Sequence, residues 1–190
     1  MREPPDRVAE AFVAVPRGEF LPSKERRHER YDGPLPIGHG QTNSQPRTVA
    51  DMLRLLDVPV GATVLDVGSG SGWSTALLAH LVGPDGRVVG VELEPDLVDF
   101  GAANLARTGQ PWATIRPAEP GVLGLPAGAP YDRVLVSAEA RELPGALVDQ
   151  LAPGGVMVLP VSSTMLRVVK DAEGRTTTTR HGGYRFVPLR

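Results

Sequence analysis

The sequence predicts an α/β fold: a doubly wound, mostly parallel sheet with a helical N-terminal extension and a C-terminal β-hairpin region. Three observations predict it. Short apolar runs between residues 62 and 161 alternate with stretches of helical period, the pattern of parallel strands joined by crossover helices. One strand-to-helix junction, "VLDVGSGSGWSTALLA", is rich in glycine, as befits the carboxyl end of a strand where a ligand comes close to backbone. The 190 residues, 41% of them hydrophobic, are enough for one sizeable core.

The elements follow in order. Residues 5–15 read as a short helix, with Val8, Phe12 and Val15 at helical spacing, ended by the prolines of "VPRGEFLP". "KERRHER" (24–30) reads as a solvated charge run. "PLPIGHGQTNSQP" (34–46) has the prolines and glycines of a stiff turn, yet is crowded with hydrogen-bonding side chains. Val49, Met52, Leu53 and Leu56 then form one apolar stripe of a helix. Pro46 suits its first turn and Ser44 its N-cap. "DVPVG" closes this unit.

"ATVLDVG" (62–68) is a buried strand, and 72–82 a helix with Trp73, Ala76, Leu77 and Leu81 inward. "RVVGVEL" (87–93) is the second strand. Residues 95–109 form a helix with Gly109 as its expected C-cap. "WATIRP" and "YDRVLVSA" (131–138) are further strands. "LPGALVDQLAPGG" is expected to be helical up to its Pro-Gly-Gly turn, before the strand "VMVLPV". "MLRVVKD" and "RTTTTRHGGYRFVPL" read as a terminal hairpin pair. The whole, 1–190, is expected to be one domain: an N-terminal substrate or cap segment (1–60), a cofactor-binding core (61–165) and C-terminal strands (166–190).

Composition excludes some classes. A net charge of −2, from 20 basic and 22 acidic residues, gives no general pull toward nucleic acid or anionic membrane. No run approaches the roughly 18 apolar residues of a membrane span, and "MREPPDRVAEAF" lacks a signal-peptide core. With no cysteine there is no disulfide, thiolate nucleophile or cysteine metal site. His28, His80 and His181 show no metal spacing. A cytoplasmic monomer without metal, nucleic-acid or membrane partner is the expectation.

The glycine turn indicates the cofactor. A dinucleotide site wants G-x-G-x-x-G. Here Gly68, Gly70 and Gly72 are spaced G-x-G-x-G, with Ser69 between the first two and Trp73 where the last dinucleotide glycine would fall. Asp66, two residues ahead, suits a positively charged amino group, reached directly or through water, and not a pyrophosphate. Glu92, followed by Leu93 at the end of the next strand, can accept both ribose hydroxyls. D-x-G-x-G-x-G with V-E about 20 residues on indicates S-adenosylmethionine.

The cofactor segment, with "AFVAVPRGEFLP", "YDGPLPIGHGQTNSQP", "APYDRVLVSA", "LVDQLAPGGVMVLPV" and "FVPL", resembles the protein-L-isoaspartate O-methyltransferase family over roughly residues 8–189. The resemblance implies a class I Rossmann-like methyltransferase. Its reaction carries a methyl group from S-adenosylmethionine to the α-carboxylate of isoaspartyl residues in damaged proteins and peptides. It also implies that Ser44 is the active-site residue, with Thr42 beside it. A hydroxyl can fix an ionised carboxylate without acting as a base, and a helix starting there would add N–H groups and a favourable dipole.

Two segments depart from the family pattern. Where the family carries G-D-G-x-x-G-x-P, this chain has "AEPGVLGLP", so that Glu119 takes the place of an adenine-binding Asp. "VSAEARELP" replaces a run of small residues, and Glu139 there would repel an anionic substrate unless it points away or pairs with Arg141. A methyltransferase of another peptide or small-molecule carboxylate, and a non-catalytic cofactor-binding protein, are the rival readings. His39 is either a substrate contact or a structural loop residue.

Overall fold

The computed structural model describes residues 6–190; the start of the expected 5–15 helix lies outside them. Helix α1 (Arg7–Ala14) is capped by Asp6, whose Oδ1 accepts from Val8 and Ala9 N–H at 3.1 Å each. A 3-10 turn (Arg17–Phe20) follows, and the charge run is largely solvated, as expected.

The stretch read as a stiff turn is a small antiparallel hairpin, β1 (Leu35–Gly38) and β2 (Gln41–Asn43). Its two-residue loop, His39-Gly40, has φ of 53° and 70°. Two left-handed central residues make the type I′ turn that matches strand twist. Histidine at the first of them hid this signal from the sequence.

Helix α2 (Pro46–Leu56) buries Val49, Met52, Leu53 and Leu56, the predicted stripe. Its N-cap is Gln45, not Ser44. The Arg47 N–H is taken by Asp32 Oδ1 at 3.0 Å, so a residue 15 positions upstream does the capping. Pro46 has no N–H and Arg47 spends its own, so the helix start offers an anion less than the sequence suggested.

The main sheet has strand order β5-β4-β3-β6-β7-β8-β9. Its first five members are parallel: β3 (Thr63–Val67), β4 (Arg87–Glu92), β5 (Ala113–Pro117), β6 (Tyr131–Val136) and β7 (Leu151–Val161). Helices α3 (Trp73–Val82), α4 (Pro95–Ala106) and the short α5 (Gly145–Asp149) lie among them in the chain. β8 (Thr164–Lys170) and β9 (Thr176–Gly183) are antiparallel and extend the same sheet.

Period-two burial makes two cores. Val64 of β3 and Val156 and Val158 of β7 face α1, α2 and α3. Leu65, Met157 and Leu159 face the other side with Leu147 of α5. Each fully buried aliphatic side chain contributes about 1.5–3 kcal/mol.

Two helix ends differ from expectation. α4 stops at Ala106, with Arg107 as a right-handed C-cap; Gly109 takes a positive φ in the turn beyond. α5 covers five residues, not the whole of 143–152 that was expected ahead of the Pro-Gly-Gly turn. Gln150 Nε2 donates to the Leu123 and Ala146 carbonyls and its Oε1 accepts from Leu125 N–H, which ends the helix. The chain then enters β7 at Leu151, opposite Tyr131, and Pro153 and Gly154 sit in an irregularity of that strand.

Chain order reverses between β3 and β6: β4 and β5 lie to one side of β3, β6 and β7 to the other. Ligands of open α/β sheets bind at the carboxyl ends of strands at such a point.

Candidate active site

A cleft of about 1030 Å³, counted out to its open mouth, lies there. Gly68, Ser69 and Gly70 line it from the turn after β3, Glu92 and Leu93 from the end of β4, and Ser137 and Ala138 from the end of β6.

The glycine turn is built by close approach. A Cβ on Gly72 would come within 2.8 Å of the Gly101 carbonyl, and one on Gly101 within 2.8 Å of the Gly70 carbonyl. Gly72 is thus a packing residue against α4, outside the cleft wall. Glu92 is buried. Its Oε2 accepts from Gly70 N–H at 2.9 Å, and its Oε1 from Leu93 and Glu94 N–H at 2.8 and 3.1 Å. A carboxylate has about four acceptor positions, so Oε2 keeps one for a hydroxyl.

Asp66 is fully buried beneath the turn and does not line the cleft. Its Oδ2 accepts from the Ser74 and Thr75 hydroxyls at 2.7 Å each, fastening the first turn of α3. Burial pushes its carboxyl up to about 6 against those two hydrogen bonds, with the charge of Glu92 adding to the rise. Asp66 Oδ1 and Ser69 Oγ are buried without a partner among the described residues. An orphaned carboxylate oxygen behind the wall, an unpartnered hydroxyl at Ser69 in it and the spare acceptor on Glu92 fit a ligand carrying an ammonium, which the charge of Asp66 would attract from behind, and a ribose.

Glu119 is not brought into the site. Its carbonyl accepts from Val122 N–H at 3.0 Å across Pro120 and Gly121, the latter with φ of 81°. Proline then glycine is the type II turn signature, and this turn leaves Glu119 exposed while Ala118, Val122, Leu123 and Gly124 line the cleft.

The hairpin covers the opposite side. Thr42 and Ser44 line both the cleft and a second groove, which runs between α2 and residues 182–187. Ser44 is half-buried and, relieved of capping, its hydroxyl makes no hydrogen bond among the described residues. Asn43 is buried and donates from Nδ2 to Ser71 Oγ at 3.0 Å, joining the hairpin to the glycine turn.

The C-terminal segment completes the wall, with Val187, Pro188, Leu189 and Arg190 facing the cleft. Glu139 holds it. Its Oε1 accepts from Ser163 N–H at 2.9 Å and its Oε2 from Phe186 N–H at 3.3 Å. The Glu139 N–H donates to Val187 O at 2.7 Å, and Glu139 O accepts from Leu189 N–H at 2.8 Å. Glu139 therefore points away from the cleft, into backbone amides and not onto Arg141. At the mouth, His39 Nε2 lies 3.0 Å from Asp96 and its Nδ1 3.7 Å from Glu94; Arg190 meets the same Glu94 at 2.6 Å. His39 thus ties the hairpin to the start of α4 and does not line the cleft, an exposed contact of about 0–1 kcal/mol.

The family model described as protein-L-isoaspartate(D-aspartate) O-methyltransferase matches residues 3–190. The chain belongs to this family. It is 48% identical over 188 residues to the protein-L-isoaspartate O-methyltransferase of Methanopyrus kandleri, covering 97% of this chain and 83% of the relative. To that of Aeropyrum pernix it is 46% identical over 187 residues, covering 96% and 72%. One solved protein-L-isoaspartate O-methyltransferase superposes with a TM-score of 0.88 at 26% identity, covering 98% of this chain and 62% of that one. A candidate member from Plasmodium falciparum, in complex with S-adenosyl-L-homocysteine, gives 0.86 at 28%, covering 98% and 91%.

Within this family frame, Thr42, Ser44, Gly68, Ser69, Gly70, Glu92 and Leu93 are brought together, while Asp66 and Gly72 stand behind the wall and Glu119 outside it. Arg17, Asn43 and Ser71 form a buried polar chain beside Ser44 that was not among the expected site residues, although Asn43 and Ser71 also line the cleft. The available signals were an arginine between a proline and a glycine in a largely apolar stretch and the crowding of polar side chains, Asn43 among them, at 34–46.

Proposed function

We propose that this chain methylates the α-carboxylate of L-isoaspartyl residues in damaged proteins and peptides, using S-adenosylmethionine, with Ser44 and Thr42 as the carboxylate cradle. One observation carries the reading: the uncommitted Ser44 hydroxyl lies where the cofactor cleft meets the second groove.

When bound, S-adenosylmethionine supplies an already activated methyl group. A carboxylate is ionised at neutral pH, so no side chain need take its proton. The work left to this chain is to bind and orient. The turn at Gly68–Gly70 and the carboxylate of Glu92 suit the cofactor. The Ser44 hydroxyl donates to the acceptor carboxylate, and Thr42 stands beside it. The second groove, with Arg47 and Arg185 on its walls, suits the peptide on either side of the modified residue. Glu139 keeps its charge but turns its carboxylate onto the C-terminal segment and away from the cleft, which weakens the objection that it would repel this acceptor. We also read the enzyme as a cytoplasmic monomer; sedimentation and cell fractionation test those two points.

The test is product analysis. A purified isoaspartyl peptide should gain one methyl ester on the isoaspartyl carboxyl, located by fragmentation, and lose it in mild base as a succinimide. Methylation of another group would replace this reading.

A further inference from the structure

We propose that Arg17 is the positioning residue of the acceptor loop: it fixes the backbone of Ser44 and sets an unneutralised positive charge behind the carboxylate cradle. The proposal rests on the reading of Ser44 as the carboxylate-binding residue.

Arg17 is 6% exposed. Arginine is almost never so buried unless paired, yet among the described residues no carboxylate lies within 4.0 Å of it. Its partners are neutral oxygens. Nε donates to Asn43 Oδ1 at 2.7 Å and Nη1 to Tyr31 O at 2.8 Å. Nη2 meets the carbonyls of Gly33, Asn43 and Ser44 at 2.8, 3.0 and 3.0 Å. The guanidinium carbon stands 5.6 Å from the Trp73 ring centroid. Burial lowers the Arg17 pKa to about 10, which leaves it a cation at neutral pH, and the charge of Asp32 opposes that fall. Asp32 itself is engaged with Arg47.

Two consequences follow. The planar fork pins Tyr31, Gly33, Asn43 and Ser44 to one rigid group, and Asn43 passes that register to Ser71 of the glycine turn. Acceptor and cofactor loops are thereby locked together, as in-line transfer requires. The second consequence is electrostatic. Neutral acceptors satisfy the donors but leave the charge, which Asp32, beyond 4.0 Å and shared with Arg47, offsets only in part, and a charge at so buried a position is screened less than one in water. A purely structural anchor would be better served by a carboxylate at position 43. The amide found there keeps the site positive, where α2 offers an anion little because Pro46 and Asp32 silence its first amides.

Asn43→Asp is the test, because it is isosteric. The new carboxylate still accepts from Arg17, the Ser71 hydroxyl can turn to donate to it, and the buried cation is neutralised. The variant should melt no lower than the parent and bind S-adenosyl-L-homocysteine in calorimetry within about threefold of it, while KM for an isoaspartyl peptide rises about tenfold. A folded variant with unchanged or lower peptide KM would show Arg17 to be scaffold only and overturn the proposal. A second arm guards against misfolding: Arg17→Lys and Arg17→Gln, compared at equal folded fraction. Both lose the fork, but peptide KM should be about tenfold higher in the glutamine variant, and equal KM values would overturn the charge role. A wild-type enzyme that methylates no isoaspartyl peptide defeats the acceptor reading itself, which distinguishes that failure from this one.

Discussion

Replacing Glu139 with alanine separates two opposite views of this residue. If its charge repelled an anionic substrate, its removal would tighten peptide binding. The structure gives it another task. Its carboxylate accepts from Ser163 N–H at 2.9 Å, Ser163 Oγ at 3.3 Å and Phe186 N–H at 3.3 Å. Hydrogen bonds to a charged group contribute about 1.5–3 kcal/mol when well made. Two of these three are long and the site is partly solvated, so about 1–2 kcal/mol in total is a fair figure. For a chain of this size that lowers Tm by about 3–6 °C. The loss falls on the segment whose residues 187–190 wall the cleft, so affinity for S-adenosyl-L-homocysteine should drop by up to about tenfold. Scanning calorimetry and titration calorimetry on Glu139→Ala read both. An unchanged Tm with tighter isoaspartyl peptide binding would mean that Glu139 repels the substrate and does not hold the C-terminal segment.

Ser44→Ala should lower kcat/KM for an isoaspartyl peptide by about a hundredfold or more, with cofactor affinity within about threefold by calorimetry. Gly101→Ala would ordinarily stabilise a helix, but its Cβ would meet the Gly70 carbonyl at 2.8 Å; a loss of about 1–3 kcal/mol and weaker cofactor binding are expected in denaturation and titration experiments. Burial raises the folded pKa of Asp66 to about 6, above the ordinary carboxylate value of about 4, so the folded state holds more protons between those values. Its contribution to apo stability is therefore greatest below about 4, falls as pH rises toward about 6 and is flat above. Cofactor affinity should follow the opposite course, because a cationic ligand favours the ionised form, and Asp66→Asn should remove both slopes in pH series of melting and titration.

The sheet and its order of elements were legible because strands buried on both faces read as continuous apolar runs and their crossovers as helical ones. The stripe at Val49, Met52, Leu53 and Leu56 was legible for the same local reason. The carboxylate at Glu92 and the turn at Gly68–Gly70 were legible because their spacing is set by one β-turn-helix-β unit. What could not be read depended on contacts distant in sequence. Asp32 caps α2 in place of Ser44, so a local capping rule named the wrong residue. Glu139 looked like a threat because its partners, Ser163 and Phe186, lie 24 and 47 residues away. Arg17 looked like a residue in a proline break because Asn43 is 26 residues ahead. The hairpin at residues 35–43 escaped notice because histidine occupies a left-handed position more often filled by asparagine or glycine.

The cradle at Ser44 is read here as the seat of an isoaspartyl carboxylate. The most direct measurement is methyl transfer from labelled S-adenosylmethionine to two peptides of identical sequence, one with isoaspartyl and one with aspartyl at a single position. The isoaspartyl peptide should be labelled rapidly, its twin only at background, and the difference should vanish in Ser44→Ala. Equal labelling of both peptides, or of neither, would contradict that reading.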